Sequence, residues 1–155
     1  GGLFRYRLGD EVEVLGRYAR APLVRFVGRS DGVSDLAGEK LSPGRLDEAI
    51  ARCLQGPAPA LAFLAPRPDR PGYRLYVELP EAEAAALAAR LELELREGHH
   101  YALCRRLEQL APLEARSVRE GWRRYEQALI ARGVKAGDVK PSSLRRESWW
   151  DEVFP

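Results

Sequence analysis

Alternating apolar and polar residues open the chain and predict strands. In the segment FRYRLGDEVEVLGRY, residues 4–18, apolar side chains recur at every second position on both sides of Gly9 and Asp10. A period of two is typical of a strand with one buried face, so two strands are predicted here. A third short strand is predicted in PLVRFVGR, residues 22–29.

Helical periods alternate with short strands in the rest of the chain. Ser42 followed by Pro43 is typical of a helix start, because serine caps free amide groups and proline suits the first turn. The pattern then predicts, in order, a helix at 43–55, strands at 60–66 and 73–79, helices at 81–98 and 100–110, a strand at 112–118 and a helix at 120–133. Residues 135–155 show no clean period. This order predicts an α+β fold, in which a small mixed sheet is packed with helices.

A polar connector separates the two parts of the pattern. The stretch FVGRSDGVSDLAGEKLS, residues 26–42, contains three glycines and three carboxylates and has little to bury. We place a domain boundary in it, near Ser30 and Asp31. Residues 1–30 are then a strand-only tail of a larger N-terminal domain, and residues 31–155 form a C-terminal α+β domain. Because the chain opens in mid-pattern without methionine, we expect a fragment of a larger protein.

Composition argues against several function classes. The 155 residues carry a net charge of only +2, which speaks against nucleic acid and membrane partners and leaves an RNA-binding domain as a weak alternative. Cys53 and Cys104 lie singly in apolar helical patterns and are typical of reduced thiols in a cytoplasmic protein. His99 and His100 are adjacent, so their side chains diverge and no metal site is predicted. The absence of Met, Asn and Thr is typical of a GC-rich genome, and we expect a bacterial source.

Several segments together resemble the adenylate-forming enzymes, and more narrowly the GH3 family of acyl acid–amido synthetases. YRLGD at 6–10 and RFVGRSDGVSDLAGEKLS at 25–42 are similar to the Tyr-Arg-x-Gly-Asp element and hinge of those enzymes. YALCRRLEQLAPLEARSV at 101–118 and ARGVKAGDVKPSSLRR at 131–146 resemble later GH3 segments. The resemblance covers essentially the whole chain, as the C-terminal part of a larger enzyme.

The resemblance implies roles for five residues. Asp10 would accept hydrogen bonds from the ribose hydroxyls of ATP, and Arg29 would bind ribose or phosphate oxygens. Lys40 would reach the polyphosphate, and Asp31 would be the hinge about which the small domain turns. Lys140, in the terminal Lys-Pro element, would be the catalytic lysine of the adenylating pose. Without the resemblance, a turn or surface position is the favoured interpretation of these residues.

The implied reaction joins a carboxylic acid to the α-phosphate of ATP, with Mg²⁺, and then transfers the acyl group to an amino acid. Both cofactors and the acyl pocket would belong to the full-length enzyme, so we expect the fragment alone to be inactive and to need its N-terminal domain. Two alternatives stay open, an acyl-CoA ligase of the same superfamily and a non-catalytic interaction module. A pivot beside a nucleotide would also explain the long connector, which we expect to be flexible and solvated.

Overall fold

The structure, a computed structural model, describes residues 10–29 and 32–155, and for residues 10, 11 and 26–29 it describes the backbone alone. The strands of these ranges are β1 (Asp10–Tyr18), β2 (Ala21–Arg29), β3 (Ala62–Pro66), β4 (Tyr73–Val77) and β5 (Glu114–Ser117). The helices are α1 (Pro43–Cys53), α2 (Glu81–Arg96), α3 (His99–Arg106), α4 (Gly121–Ala131) and α5 (Trp150–Val153), with a short 3-10 turn at Ala136–Asp138. The predicted α+β class is confirmed.

Strands β1 and β2 form an antiparallel hairpin with its own two-stranded sheet. The hairpin turns at Ala19, whose φ of 52° lies in the left-handed region. Its apolar side chains stay open to solvent: Val14 is 63% exposed and Leu23 is 54% exposed. The strand predicted before Gly9 lies outside the described residues. An exposed apolar surface of this kind is typical of a face that packs against another domain or chain.

The second sheet is small and mixed, as the sequence predicts. Strand β4 lies at its centre, antiparallel to β3 and parallel to β5. A segment near the end of the chain extends the outer edge of β3 in parallel. There, Leu64 N–H donates to the Ser143 carbonyl at 2.7 Å and Arg145 N–H donates to the Leu64 carbonyl at 2.8 Å.

The two faces of this sheet carry two separate apolar clusters, because successive residues of a strand point to opposite faces. Leu64, Leu75 and Val77 pack with α1, α2 and α3 on one face. The other face is covered by α4 and the end of the chain. It is largely aromatic and includes Phe63, Tyr76, Tyr125, Trp150 and Phe154.

No helix within residues 10–29 and 32–155 is both long enough and apolar enough to span a bilayer.

Candidate functional site

The hairpin brings two of the predicted ATP-binding residues together. Asp10 at the start of β1 is the register partner of Arg29 at the end of β2. Residues directly opposite in an antiparallel pair have their Cα atoms about 4.5–5.5 Å apart. The backbone therefore presents a carboxylate residue and a guanidinium residue at one end of the hairpin. The predicted hinge, Asp31, lies outside the described residues.

The connector after residue 31 forms a closed loop. Ser34 and Leu41 pair across it, with Ser34 N–H donating to the Leu41 carbonyl at 2.8 Å and the reverse bond measuring 2.9 Å. Both residues are buried, and so is Glu39 between them. The expectation of a solvated connector is therefore wrong for Ser34, Glu39 and Leu41, whereas Asp35, Leu36 and Lys40 are exposed as expected.

The Glu39 side chain anchors the loop from inside. Only 2% of the residue is exposed, and its carboxylate accepts hydrogen bonds from the amides of Leu36 (2.8 and 3.1 Å) and Ala37 (2.8 Å). It also accepts one from the hydroxyl of Tyr73 in β4, which lies 2.6 Å from Ser34 Oγ. Burial, together with the Glu39 carboxylate, raises the pKa of Tyr73, so the phenol stays a neutral donor.

Lys40 is exposed between two buried neighbours, Glu39 and Leu41. Its φ of 52° lies in the left-handed region, which residues with a Cβ seldom adopt. Its ammonium makes no hydrogen bond or ion pair with any residue in the described ranges. Lys40 borders a cleft between α1 and the α2–α3 corner, where Arg45 and His100 also line the wall. As far as the described residues go, the loop thus presents a cation without an ionic partner beside a cleft.

Lys140 lies on the segment that leads into the terminal part of the chain. It is exposed, and its backbone carbonyl accepts a hydrogen bond from the Tyr125 hydroxyl at 3.2 Å. Three residues later, Ser143 Oγ donates to the Pro43 carbonyl at 3.1 Å. The Lys140 segment and the Lys40 loop therefore both run to the N-terminal end of α1.

The described residues do not form a metal site of their own. Within 10–29 and 32–155, no three His, Cys, Asp or Glu side chains lie close enough together to hold an ion. The rings of His99 and His100 are 5.5 Å apart on an exposed turn of α3.

Sequence reasoning missed Ser34, Glu39 and Tyr73 as parts of this site. Tyr73 lies in a strand whose periodic pattern explains its burial without any further role. Glu39 lies in a polar stretch that reads as solvated. The pairing joins positions 34 residues apart, so a local pattern cannot reveal it. The available signal was the position of Glu39 directly before Lys40.

Comparison with protein families finds two adjacent matches. Residues 45–148 match the model of the GH3 family C-terminal domain. Residues 1–29 match the model of the GH3 family central domain.

Individual relatives agree with these matches. A probable indole-3-acetic acid-amido synthetase of Oryza sativa subsp. japonica is 30% identical over 162 residues, covering 90% of this chain and 26% of the rice protein. A GH3 domain-containing protein of Homo sapiens is 40% identical over 52 residues, covering 34% of this chain and 10% of the human protein.

A solved structure shares the fold of nearly the whole chain. A GH3.15 acyl acid amido synthetase superposes with a TM-score of 0.64 at 21% identity, covering 99% of this chain and 31% of the other. The chain thus spans less than a third of each of these three relatives.

Proposed function

The chain belongs to the GH3 family, and on that premise we propose that it is the C-terminal domain, with the last strands of the central domain, of an ATP-dependent acyl acid–amido synthetase. The observation that carries the proposal is the order of the two family matches along one chain, joined by the loop that presents Lys40. We place the boundary between the two domains near Ser30 and Asp31.

The proposed reaction has two steps. A carboxylate oxygen of the acyl acid attacks the α-phosphorus of ATP, the bond to the bridging oxygen breaks, and pyrophosphate leaves. The amine of an amino acid then attacks the acyl carbon, AMP leaves with the bonding electrons, and the amine gives up a proton. Little covalent help is needed from the protein in the first step, so positioning and charge neutralisation are its main tasks.

The residues of this chain divide those tasks. We assign the ribose hydroxyls to Asp10 and a ribose or phosphate oxygen to Arg29, which suits such ligands because its fork is planar and always charged. The register pairing of these two residues supports a shared ligand. Lys40 supplies positive charge to the departing pyrophosphate, and Lys140 enters the site in the adenylating pose. Asp31 is the proposed pivot between the two poses.

Magnesium is a different case. Ion binding by a nucleotide-dependent enzyme usually combines one or two carboxylates with the phosphates of the substrate. Within the described residues no group of three or more His, Cys, Asp or Glu side chains could hold an ion by itself. We therefore assign Mg²⁺ to the phosphates of the nucleotide and to carboxylates of the full-length protein.

The isolated chain is proposed to be inactive. Asp10, Arg29, Lys40 and Lys140 supply at most one wall of a nucleotide site, and binding pockets need groups that converge from several sides. The remaining wall and the acyl pocket belong to the rest of the central domain and to preceding parts of the full-length protein.

The test uses the full-length protein and a panel of carboxylic acids. We expect acid-dependent exchange of pyrophosphate into ATP, and amide formation with release of AMP when amino acids are added. Lys40→Ala is expected to slow pyrophosphate release by about a hundredfold, while transfer from a pre-formed acyl-adenylate survives because the pyrophosphate has already left.

Three outcomes would change the proposal. Product formed only with coenzyme A would make the protein a thioester-forming ligase. An absence of acid-dependent exchange across the panel would favour a non-catalytic module. Equal loss of both steps in Lys40→Ala would show that Lys40 holds the domain pose instead of binding phosphate.

A further inference from the structure

The buried carboxylate of Glu39 directly precedes Lys40 in the chain. Among the described residues it forms no ion pair, and the donors to it there include the amides of Leu36 and Ala37 and the hydroxyl of Tyr73. The partly buried Glu92 of α2 shows the ordinary arrangement, because Arg105 and Arg96 both pair with it. Burying a carboxylate is costly unless hydrogen bonds satisfy it, so the hydrogen bonds to Glu39 are what allow this loop to hold the residue inside the domain.

The hydrogen-bonded group of Ser34, Glu39 and Tyr73, called the anchor below, fixes the backbone on both sides of Lys40. On one side the Glu39 carboxylate holds the amides of Leu36 and Ala37. On the other side Leu41 is paired with Ser34 by two backbone hydrogen bonds of 2.8 and 2.9 Å. Lys40 lies between these restraints with a φ of 52°, so its backbone is held at the surface of the loop.

Tyr73 connects this loop to the rigid part of the domain. It lies in the central strand β4, is 1% exposed, and its hydroxyl contacts both Glu39 and Ser34. A second tie comes from α3, where the Cys104 thiol donates to the Ala37 carbonyl at 3.2 Å. These two contacts tie the loop that carries Lys40 to β4 and to α3.

We propose that Glu39 and Tyr73 are positioning residues for adenylation, which hold Lys40 in the conformation that meets the polyphosphate of ATP. The inference rests on the proposed function, because it takes the phosphate role of Lys40 from there. It adds two residues that act through Lys40 and do not touch the substrate themselves. Misplacement of a charged group by about 1 Å can reduce a rate by about a hundredfold, so the anchor has a measurable effect.

The experiment is a double-mutant cycle in the full-length protein. We expect Tyr73→Phe to slow pyrophosphate release by roughly ten- to a hundredfold and to leave transfer from a pre-formed acyl-adenylate unchanged. In the Lys40→Ala background the same change is expected to have no further effect. Non-additivity of this kind identifies a residue that acts through its neighbour, since a general loss of structure would add to the defect.

A matched control comes from the same strand. Tyr76 also lies in β4, is fully buried, and donates to a carboxylate, Asp151 Oδ1, at 2.6 Å. Tyr76→Phe removes an equivalent hydrogen bond on the aromatic face, away from Lys40, and is expected to keep normal adenylation. If Tyr73→Phe fails to fold, Ser34→Ala is used in its place. This variant removes only the contact between Ser34 and Tyr73 and leaves the Tyr73–Glu39 hydrogen bond intact.

A readout independent of activity is the hydrogen exchange of the loop. Tyr73→Phe is expected to speed exchange at the Leu36 and Ala37 amides by about tenfold or more, while Leu75 in β4 keeps its protection.

Four outcomes would overturn the inference. If Tyr73→Phe changes neither hydrogen exchange at Leu36 and Ala37 nor the rate of pyrophosphate release, Tyr73 does not position Lys40. If the rate losses of Tyr73→Phe and Lys40→Ala multiply in the double variant, the anchor has a purely structural role. The same conclusion follows if Tyr73→Phe slows acyl transfer as much as it slows pyrophosphate release. If the wild type is active and Lys40→Ala releases pyrophosphate at the same rate, Lys40 does not bind the phosphates. Absence of acyl-adenylate formation by the wild type would sink the proposed function itself.

Discussion

Trp150 stacks on Tyr125 with ring centroids 5.0 Å apart and an interplanar angle of 11°. The guanidinium of Arg145 lies 4.9 Å from the centroid of the Tyr125 ring and 5.7 Å from that of Trp150. These contacts join α4 to the terminal segment of the chain. A segment without sequence periodicity thus completes the second apolar cluster of the domain.

We expect Trp150→Ala to lower the free energy of unfolding by about 3–5 kcal/mol, because it empties a fully buried position. Trp149→Ala is the control. Trp149 is partly exposed and its ring carries the Arg132 guanidinium at 3.6 Å from the centroid, a contact worth about 0.5–1 kcal/mol at such a site. Urea unfolding of both variants measures the difference. Equal losses would contradict the packing described here.

The left-handed backbone at Lys40 gives a second prediction. Glycine adopts a φ of 52° freely, so Lys40→Gly is expected to be more stable than Lys40→Ala by about 1 kcal/mol, although both lack the ammonium. The control is Lys135, whose φ of −66° is ordinary, and there alanine should be at least as stable as glycine. Thermal unfolding of the four variants compares the two positions. If alanine is at least as stable as glycine at position 40 as well as at position 135, the backbone of Lys40 is unstrained.

The third prediction concerns acid. Burial acts to raise the pKa of Glu92, but hydrogen bonds from Arg105, Tyr101 and the Leu113 amide outweigh it, so the pKa lies below its ordinary value. A carboxylate with a lowered pKa stabilises the fold fully above its unfolded pKa of about 4.3, and this stability is lost as the pH falls through the folded pKa.

We therefore expect Glu92→Gln to lose about 1–3 kcal/mol at neutral pH and to show a weaker fall in stability below about pH 4.5 than the wild type. Urea unfolding at several pH values measures both effects. Glu83→Gln, at an exposed position of the same helix, is expected to change neither. An unchanged acid profile in Glu92→Gln would assign the acid sensitivity to other carboxylates.

The hairpin is expected to be the least protected element of the isolated chain. Its apolar residues, including Val12 and Val24, are 51% and 47% exposed, whereas α1 buries Leu46 and Ile50. Hydrogen exchange of residues 12–24 should therefore exceed that of residues 43–54. The oligomeric state must be measured alongside, since pairing of two hairpins would protect them. Equal protection in a monomer would indicate a single integrated unit.

Binding of ATP by residues 1–155 is expected to be weak or absent, because the proposed ligands form only one wall of a site. Isothermal titration calorimetry of the isolated chain measures this directly. The full-length protein is the positive control. Low-micromolar affinity in the isolated chain would mean that it contains a complete nucleotide site.

Regular elements were predictable where the pattern repeats. Leu87, Leu91 and Leu95 recur every four residues and are buried on one face of α2, as their spacing predicts. The terminal segment was not predictable, because Leu144 is buried by pairing with Leu64, far earlier in the chain. Such non-local pairings leave no local period.

The candidate site divides in the same way. The resemblance pointed to Asp10, Arg29, Lys40 and Lys140, and the backbone places the first two opposite each other. The anchor under Lys40 was hidden, because glutamate in a polar stretch is normally solvated. The burial of Glu39 depends on the hydroxyl of Tyr73, which reaches the carboxylate only in the folded sheet.

The place of residues 143–145 on the edge of β3 also has a consequence for synthesis. A ribosome adds roughly 5–20 residues per second, so β3 waits several seconds for the segment that pairs with it. During that interval one edge of the sheet and the aromatic side chains of Phe63 and Tyr76 lack their cover. Until residues 143–154 have emerged, this part of the nascent chain is therefore open to aggregation and to chaperones.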